Sequence, residues 1–383
     1  MIVSRVILKN WRNFRHVDVE LGDRVFLVGP NASGKSNFLD VFRFLHDIAK
    51  REGGGLQKAI AERGGLSKIR CLAARQHPNV EIKLYLSDST NGQPLWTYDL
   101  GIMQEGRGNH RTNLVHERVW KGDELLLNRP DKYDKSDALR LSQTHLEQIN
   151  ANEPFREIAT FFDSVMYLHL VPQLLRHPEA FPGPGISGDP YGRSFLERVA
   201  RTTEKTRRSR LHKIENALQL AVPQLKQLTD VKDDAGIPHL EALYEHWRPK
   251  GAKQQEDQFS DGTLRLIGLL WSLLEGDSLL LLEEPELSLN AGIVKRLPSV
   301  MYRIHRQKKR QLMVSTHSFD LLSDKGIGSD EVLLLTPSTE GTKVSVSSSD
   351  EEIRSLLEAG LSIGEAILPR TDPPNVHQLE LFR

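Results

Sequence analysis

The chain has 383 residues, enough for one large domain with a subdomain or for two domains. Lys+Arg and Asp+Glu are both 51, so no bulk field favours a polyanion and any nucleic-acid contact must come from a local patch. The single cysteine, Cys71, excludes a disulfide framework and a cysteine-rich metal site. The N-terminus alternates like a strand and has no signal-peptide core. The most apolar stretch, Leu264 to Leu282, is broken by Glu275 and Asp277. The expectation is a cytoplasmic protein with no membrane span.

In chain order, Ile2–Leu8 and Val17–Leu21 alternate like strands, and Arg24–Val28 is a short apolar run that ends at Gly29-Pro30. Ser36 to Ile48 places Phe38, Leu39, Val41, Phe42 and Leu45 at helical spacing. Residues 79–128 hold several β-rich runs, residues 136–163 read as helical, and Ser164–Val171 reads as a strand. A glycine- and proline-rich loop, Phe181–Pro190, follows. Phe195–Val222 then reads as one or two helices, and Val231–Ile237 as a hairpin turn. From Thr263 the pattern is helix, buried strand (Leu279–Leu282), helix, strand (Gln311–Ser315), the rhythm of a mostly parallel sheet. The resulting division is an N-terminal lobe with a β-rich subdomain (1–180), a helical lid insertion (191–250), a C-terminal lobe (251–365) and a flexible tail (366–383).

Gly29-Pro30-Asn31-Ala32-Ser33-Gly34-Lys35-Ser36 fits G-x-x-x-x-G-K-[ST] at every defined position, after a buried strand and before a helix. In such a loop the backbone N–H groups, continued into Asn37, converge on phosphate oxygens at a helix N-terminus. Lys35 would reach the β- and γ-phosphates of ATP, and the Ser36 hydroxyl would bind Mg²⁺. About 250 positions on, Leu279–Leu282 ends abruptly in Glu283-Glu284-Pro285. Ligands bind at the carboxyl ends of parallel strands, so both acids are expected beside the phosphate loop. Glu283 would hold the metal, and Glu284 would orient and deprotonate the attacking water. The next strand ends in Thr316-His317-Ser318, which places His317 where it could touch the γ-phosphate or that water.

These motifs, with Phe259-Ser260-Asp261-Gly262-Thr263, resemble the ABC-type ATPases of the RecF/SMC group. Within it, the chain looks like the bacterial stand-alone ATPases related to the nucleotide-binding half of the overcoming-lysogenization-defect nucleases. The resemblance covers residues 1–45 and 255–335 well and the middle loosely. It implies an α/β P-loop NTPase of the ABC/RecF/SMC head type, with a β-rich N-terminal lobe and a short helical lid. It also implies a homodimer with composite sites, in which Ser260 and Gly262 of one copy contact the γ-phosphate bound at Lys35 of the other. Leu8–Phe14 looks like the group's first strand and turn, whose phosphate-contacting arginine would here be Arg12. Gln173 is the candidate for the glutamine that links Mg²⁺ to the lid, with Gln143 as its rival. The sequence departs from the common pattern at Asp261, Thr263, Glu283 and Asn290, where glycine, glutamine, aspartate and aspartate are usual. These departures bear on the rate of hydrolysis more than on binding.

The expected lid helix carries Arg193, Arg198, Arg201, Lys205, Arg207, Arg208, Arg210 and Lys213 against Glu197 and Glu204. A basic face of this kind suits DNA phosphates. The residues after His317 are too few for the nuclease domain of the larger relatives, so a nuclease or other effector would come from a partner chain, in phage defence or DNA repair. Gln378-Leu379-Glu380-Leu381-Phe382 resembles the short peptide by which bacterial repair and replication proteins dock on the sliding clamp, through Gln378, Leu379, Leu381 and Phe382. Three functions compete. One is an ATP-gated dimeric switch acting on DNA or an effector. Another is an ATP-bound scaffold that restrains a toxic nuclease with little turnover. The third, a transporter's nucleotide subunit, is opposed by the β-rich insertion and the basic lid.

Overall fold

The computed structural model describes residues 1–74, 79–90, 92–105, 111–178, 189–246, 251–372 and 378. Strands β1 (Ile2–Trp11) and β2 (Phe14–Glu20) form a hairpin, and β3 (Arg24–Val28) follows. Next come helix α1 (Lys35–Ala49) and strands β4 (Val80–Ser87), β5 (Trp96–Gln104), β6 (Thr112–Lys121) and β7 (Glu124–Arg129). The hairpin and β4–β7 make a six-stranded sheet of order β2-β1-β4-β5-β6-β7 in which every pairing is antiparallel. Strand β4 alternates buried and half-buried residues, as expected where one face of a sheet meets the core and the other is partly open.

Residues 136–163 are helical only in part, which corrects the sequence reading. Ala138–Ser142 and Glu153–Phe155 are 3₁₀ turns, and a full helix, α2, spans only Arg156–Asp163. A buried ionic network takes the backbone groups that a helix would need. Arg129 donates to Gln143 O at 2.8 Å and Arg140 O at 2.9 Å. Glu117, fully buried, accepts from the His145 and Leu146 N–H groups. A local helical pattern gives way to tertiary pairing here.

The second half builds the central sheet. Strand β8 (Met166–Leu168) leads to the short helix α3 (Pro172–Arg176). Then come α4 (Phe195–Arg201), α5 (Glu204–Ala221) and strands β9 (Leu225–Lys232), β10 (Pro238–Tyr244) and β11 (Ala252–Gln255). The expected lid is therefore not only helical: three antiparallel strands, in the order β11-β10-β9, accompany its two helices. Helix α6 (Asp261–Leu274), strand β12 (Leu280–Glu283), helix α7 (Leu297–Lys308) and strands β13 (Leu312–Thr316), β14 (Val332–Thr336) and β15 (Lys343–Val346) complete the fold.

The central sheet has the order β15-β14-β3-β13-β12-β8 and is parallel except at β15. Both faces of its inner strands β3, β12 and β13 are covered, which is why these read as mostly apolar runs. Val25, Leu27, Leu279, Leu281 and Met313 join the core beneath α1 and the antiparallel sheet. Phe26, Val28, Leu280, Leu282, Leu312 and Val314 join the core beneath α6 and the lid. Among the described residues, no helix is long and apolar enough to cross a membrane. Of the tail motif, Gln378 is exposed, while Leu379, Leu381 and Phe382 lie outside the described residues.

Candidate nucleotide site

The register of the central sheet assembles the site. Val28 pairs with Thr316 across β3 and β13, and Ser315 pairs with Glu283 across β13 and β12. The three strands therefore end level, and Gly29, His317 and Glu284 emerge side by side. The phosphate loop fills the turn between β3 and α1. Gly29 lies where a Cβ would sit 2.6 Å from Leu335 O, and Gly34 has φ +100° with room only for hydrogen, since a Cβ would meet Asn13 Nδ2 at 2.1 Å. Asn31 and Ala32 are exposed at the tip, and Ser33 is buried.

Asn13 is the rear support of this loop, a role its sequence neighbourhood does not announce. Its Nδ2 donates to Ser33 O and to Thr342 Oγ1, both at 2.7 Å, and its Oδ1 accepts from Asn37 Nδ2 at 2.8 Å. Trp11 Nε1 donates to Asn37 O at 2.8 Å. Arg12, expected to touch phosphate, instead pairs with Asp40 of α1 at 2.7 Å. Asp40 is also held by Arg63 at 2.8 Å. Burial disfavours the Asp40 charge, but Arg63 and Arg12 override it and hold the carboxyl below its ordinary value.

Lys35 is 8% exposed, and its Nζ donates to Gly29 O at 2.8 Å and Pro30 O at 3.1 Å. Burial lowers its pKa, and Glu284, Glu283 and Glu286 oppose that shift. The Ser36 hydroxyl bonds one oxygen of Glu283, 247 positions away, and the Tyr167 hydroxyl bonds the other. Burial and the Glu283 charge push the Tyr167 phenol up, so it stays a donor. A hydroxyl and a carboxylate facing each other are oxygen donors of the kind Mg²⁺ takes, so the residues present fit that ion. Glu284 has φ +44°, donates its N–H to Ser315 O at 3.0 Å, and meets His317 Nδ1 at 3.0 Å. His317 is half exposed. Thr316 Oγ1 donates to Glu286 Oε1 at 2.5 Å, and burial raises the Glu286 pKa.

Ser260 caps α6, its hydroxyl accepting from Thr263 N at 3.1 Å. A Cβ on Gly262 would lie 2.6 Å from Ser288 O, so the start of α6 packs against the loop that follows the acids. Gln173 lies on α3 and donates to Asp261 Oδ2 at 2.9 Å, with no bond to Glu283. Gln143 sits in the Arg129 network of the antiparallel sheet and is not brought to the site. On the lid, Arg198 pairs with Glu275 at 3.2 Å and Arg207 with Asp230 at 2.8 Å, while Arg210 stacks on Trp271 at 5.1 Å. Arg201, Lys205, Arg208 and Lys213 are exposed. Tyr167, Arg176 and Arg265 near the site carry no sequence motif and are found only through the fold.

A family model, AAA_21, described as AAA domain, putative AbiEii toxin, Type IV TA system, matches residues 24–324. Among solved structures, the SMC head bound to the C-winged helix domain of ScpA is similar at 15% identity with a TM-score of 0.55, over 90% of this chain and 97% of that one. An SMC head domain with an extended coiled coil from Pyrococcus furiosus, bound to the C-terminal domain of ScpA, is similar at 14% identity with a TM-score of 0.52, over 93% and 99%. These likenesses establish an SMC-head-like α/β P-loop fold. No curated protein gives a significant match.

Proposed function

The chain belongs to the AAA_21 family of AAA domains, and from that premise and the geometry of the site we propose that it is an ATP-hydrolysing, ATP-gated dimeric switch acting on DNA or on a partner effector, in phage defence or DNA repair. The observation that supports this best is the contact of Ser36 with Glu283 across 247 positions, at the level where Lys35, Glu284 and His317 also emerge.

ATP would lie along the loop, with the N–H groups of Asn31–Asn37 and the Lys35 ammonium on its phosphates. Lys35 would exchange its bonds to Gly29 O and Pro30 O for phosphate oxygens. Mg²⁺, held by Ser36 and Glu283, supplies charge neutralisation on the phosphates when bound. Glu284 takes the proton of the attacking water, and His317, already bonded to Glu284, orients that carboxylate. Ser260 and Gly262 of a second copy would complete the site. Gln173 joins the metal if it leaves Asp261.

The exposed Arg201, Lys205, Arg208 and Lys213 are the DNA-contacting candidates; Arg198, Arg207 and Arg210 are engaged within the chain. The tail peptide at Gln378–Phe382 is a candidate sliding-clamp ligand, tested by pull-down with Phe382→Ala as the control. Lys35→Ala should abolish ATP binding in a calorimetric titration. Glu284→Gln should keep binding and slow single-turnover hydrolysis by about a hundredfold or more. Parent-like ATP affinity in Lys35→Ala would end the proposal. A second reading, an ATP-held scaffold with little turnover, is favoured by Asp261, a carboxylate at the helix end that should receive a phosphate. Single-turnover hydrolysis in the unmodified protein separates the two.

A further inference from the structure

Asp261 sits between Ser260 and Gly262, the two residues proposed to meet a partner copy's γ-phosphate. Its charge suits the N-terminus of its own helix, but it repels an incoming polyanion. The structure shows how that repulsion is met. Arg176 Nη2 donates to Asp261 Oδ1 and to Phe259 O, both at 2.7 Å. Gln173 Nε2 donates to the other carboxylate oxygen at 2.9 Å. One turn of α3 thus covers both oxygens of Asp261 and also ties down the backbone that leads into Ser260.

The position of α3 gives this contact its meaning. The helix follows β8, whose Leu280–Met166 and Leu282–Leu168 pairings place it next to β12, the strand that ends in Glu283. The Arg176 side chain is 17% exposed and that of Asp261 38%, so the arginine is the more shielded member of the pair. A second cation, Arg265, lies one turn along α6 and also feels Asp261, but it is buried and forms no ion pair with it within 4 Å. Arg176 is the direct partner.

We propose that Arg176 is a positioning residue of the composite site: by neutralising Asp261 and pinning Phe259, it keeps the end of α6 attractive to the γ-phosphate held by a second copy. This rests on the dimeric-switch reading. Arg176 touches neither nucleotide nor metal; it acts through Asp261. The carboxylate at the helix end is then compatible with phosphate as long as the pair is intact.

The test uses the full chain with Glu284→Gln, which retains ATP, and measures the dimer dissociation constant by sedimentation velocity with Mg²⁺ and ATP. Arg176→Ala should weaken the dimer by about tenfold or more, the scale of losing one partner of a charged pair at an interface. ATP affinity of the dilute monomer should stay within about twofold, since Lys35 and Ser36 are untouched. Adding Asp261→Asn to Arg176→Ala should restore dimerisation to within about threefold, because the uncompensated charge is gone. A purely structural role for Arg176 predicts no rescue. The proposal is overturned if Arg176→Ala dimerises like its parent, or if the double variant stays as weak as the single. Failure of the Glu284→Gln parent itself to dimerise with ATP would instead remove the dimeric-switch reading and the proposal with it. Arg176→Lys, which keeps the charge on a gentler substitution, should fall between parent and Arg176→Ala; a loss equal to that of Arg176→Ala would also overturn the electrostatic account.

Discussion

Asn13 tests whether the phosphate loop is preorganised from behind. Its side chain makes the bonds to Ser33 O, Thr342 Oγ1 and Asn37 Nδ2, all between 2.7 and 2.8 Å, and no other side chain among the described residues is seen to bond Ser33 O. Each such bond contributes about 1 kcal/mol net. Water replaces part of that once the side chain is cut back to alanine, so about 2 kcal/mol of loop order is lost. If ATP must restore that order on binding, Kd rises by roughly 30-fold at about 1.4 kcal/mol per decade. Calorimetric titration of Asn13→Ala with Mg·ATP reads this directly. Thermal unfolding of the same variant checks that the effect is local: Asn13 sits in a half-buried turn, and a loss of about 2 kcal/mol in a chain of this size should move Tm by only a few degrees. ATP affinity within about twofold of the parent, with the variant folded, would refute the claim that this side chain preorganises the loop.

Arg310 is fully buried and caps the end of α6 by donating to the carbonyls of Ser272 and Glu275, and it also donates to Ser278 O. Burial pushes its guanidinium down to about 10, still charged at neutral pH. Arg310→Met leaves those carbonyls without their donor and should cost about 3 kcal/mol, seen as a lower midpoint in urea. His145 is pushed down to about 4, first by burial and then by Arg129. Its folded pKa lies below the unfolded value of 6.5, so between those two pH values the unfolded chain binds more protons. Stability should therefore fall as pH drops from about 6.5 to 4, by about 1–2 kcal/mol after discounting for partial exposure. His145→Asn should flatten that slope in Tm measured against pH; an unchanged slope would assign it to other groups. On the lid, charge reversal of Arg201, Lys205 and Arg208 together should abolish salt-sensitive DNA binding in a gel shift while leaving Tm within a few degrees. Arg207→Glu should instead lower Tm, because Arg207 is spent on Asp230, Ala200 O and Thr202 O.

The phosphate loop was legible because its chemistry is local: two glycines and a lysine at fixed spacing, between an apolar run and a helical one. The acids were legible because a strand covered on both faces must be apolar until it leaves the sheet, and Leu282 to Glu283 marks that exit. The antiparallel lobe was legible from alternation. What escaped is held by long-range pairs. Asn13 meets Thr342 across 329 positions, Tyr167 meets Glu283 across 116, and Arg176 meets Asp261 across 85. No window of sequence contains both partners of such a contact. Residues 136–155 misled for the same reason, since Arg129 and Glu117 take backbone groups that a local pattern assigns to a helix. In the lid, the hairpin turn read at Val231–Ile237 does join β9 to β10, while β11 was missed because a polar edge strand such as Ala252–Gln255 carries little apolar signal.

The charged groups of the proposed site already have partners within the chain. Lys35 is bonded to Gly29 O and Pro30 O, Glu283 to the Ser36 and Tyr167 hydroxyls, Glu284 to His317, and Asp261 to Gln173 and Arg176. For these groups, binding would be an exchange of partners rather than the filling of a vacancy. Several buried side chains depart from this economy, among them Ser33, Arg265, Ser315 and Glu286. Glu286 has one oxygen and Arg265 two nitrogens with no hydrogen-bond partner, both residues are 7% exposed, and Arg265 feels the charges of both Glu286 and Glu284. A buried polar atom left unpaired costs about 1–3 kcal/mol. A shift of α6 that joined them would recover part of that cost. Because Gly262 already abuts Ser288 O, such a shift would be felt at once by the loop that follows Glu283 and Glu284.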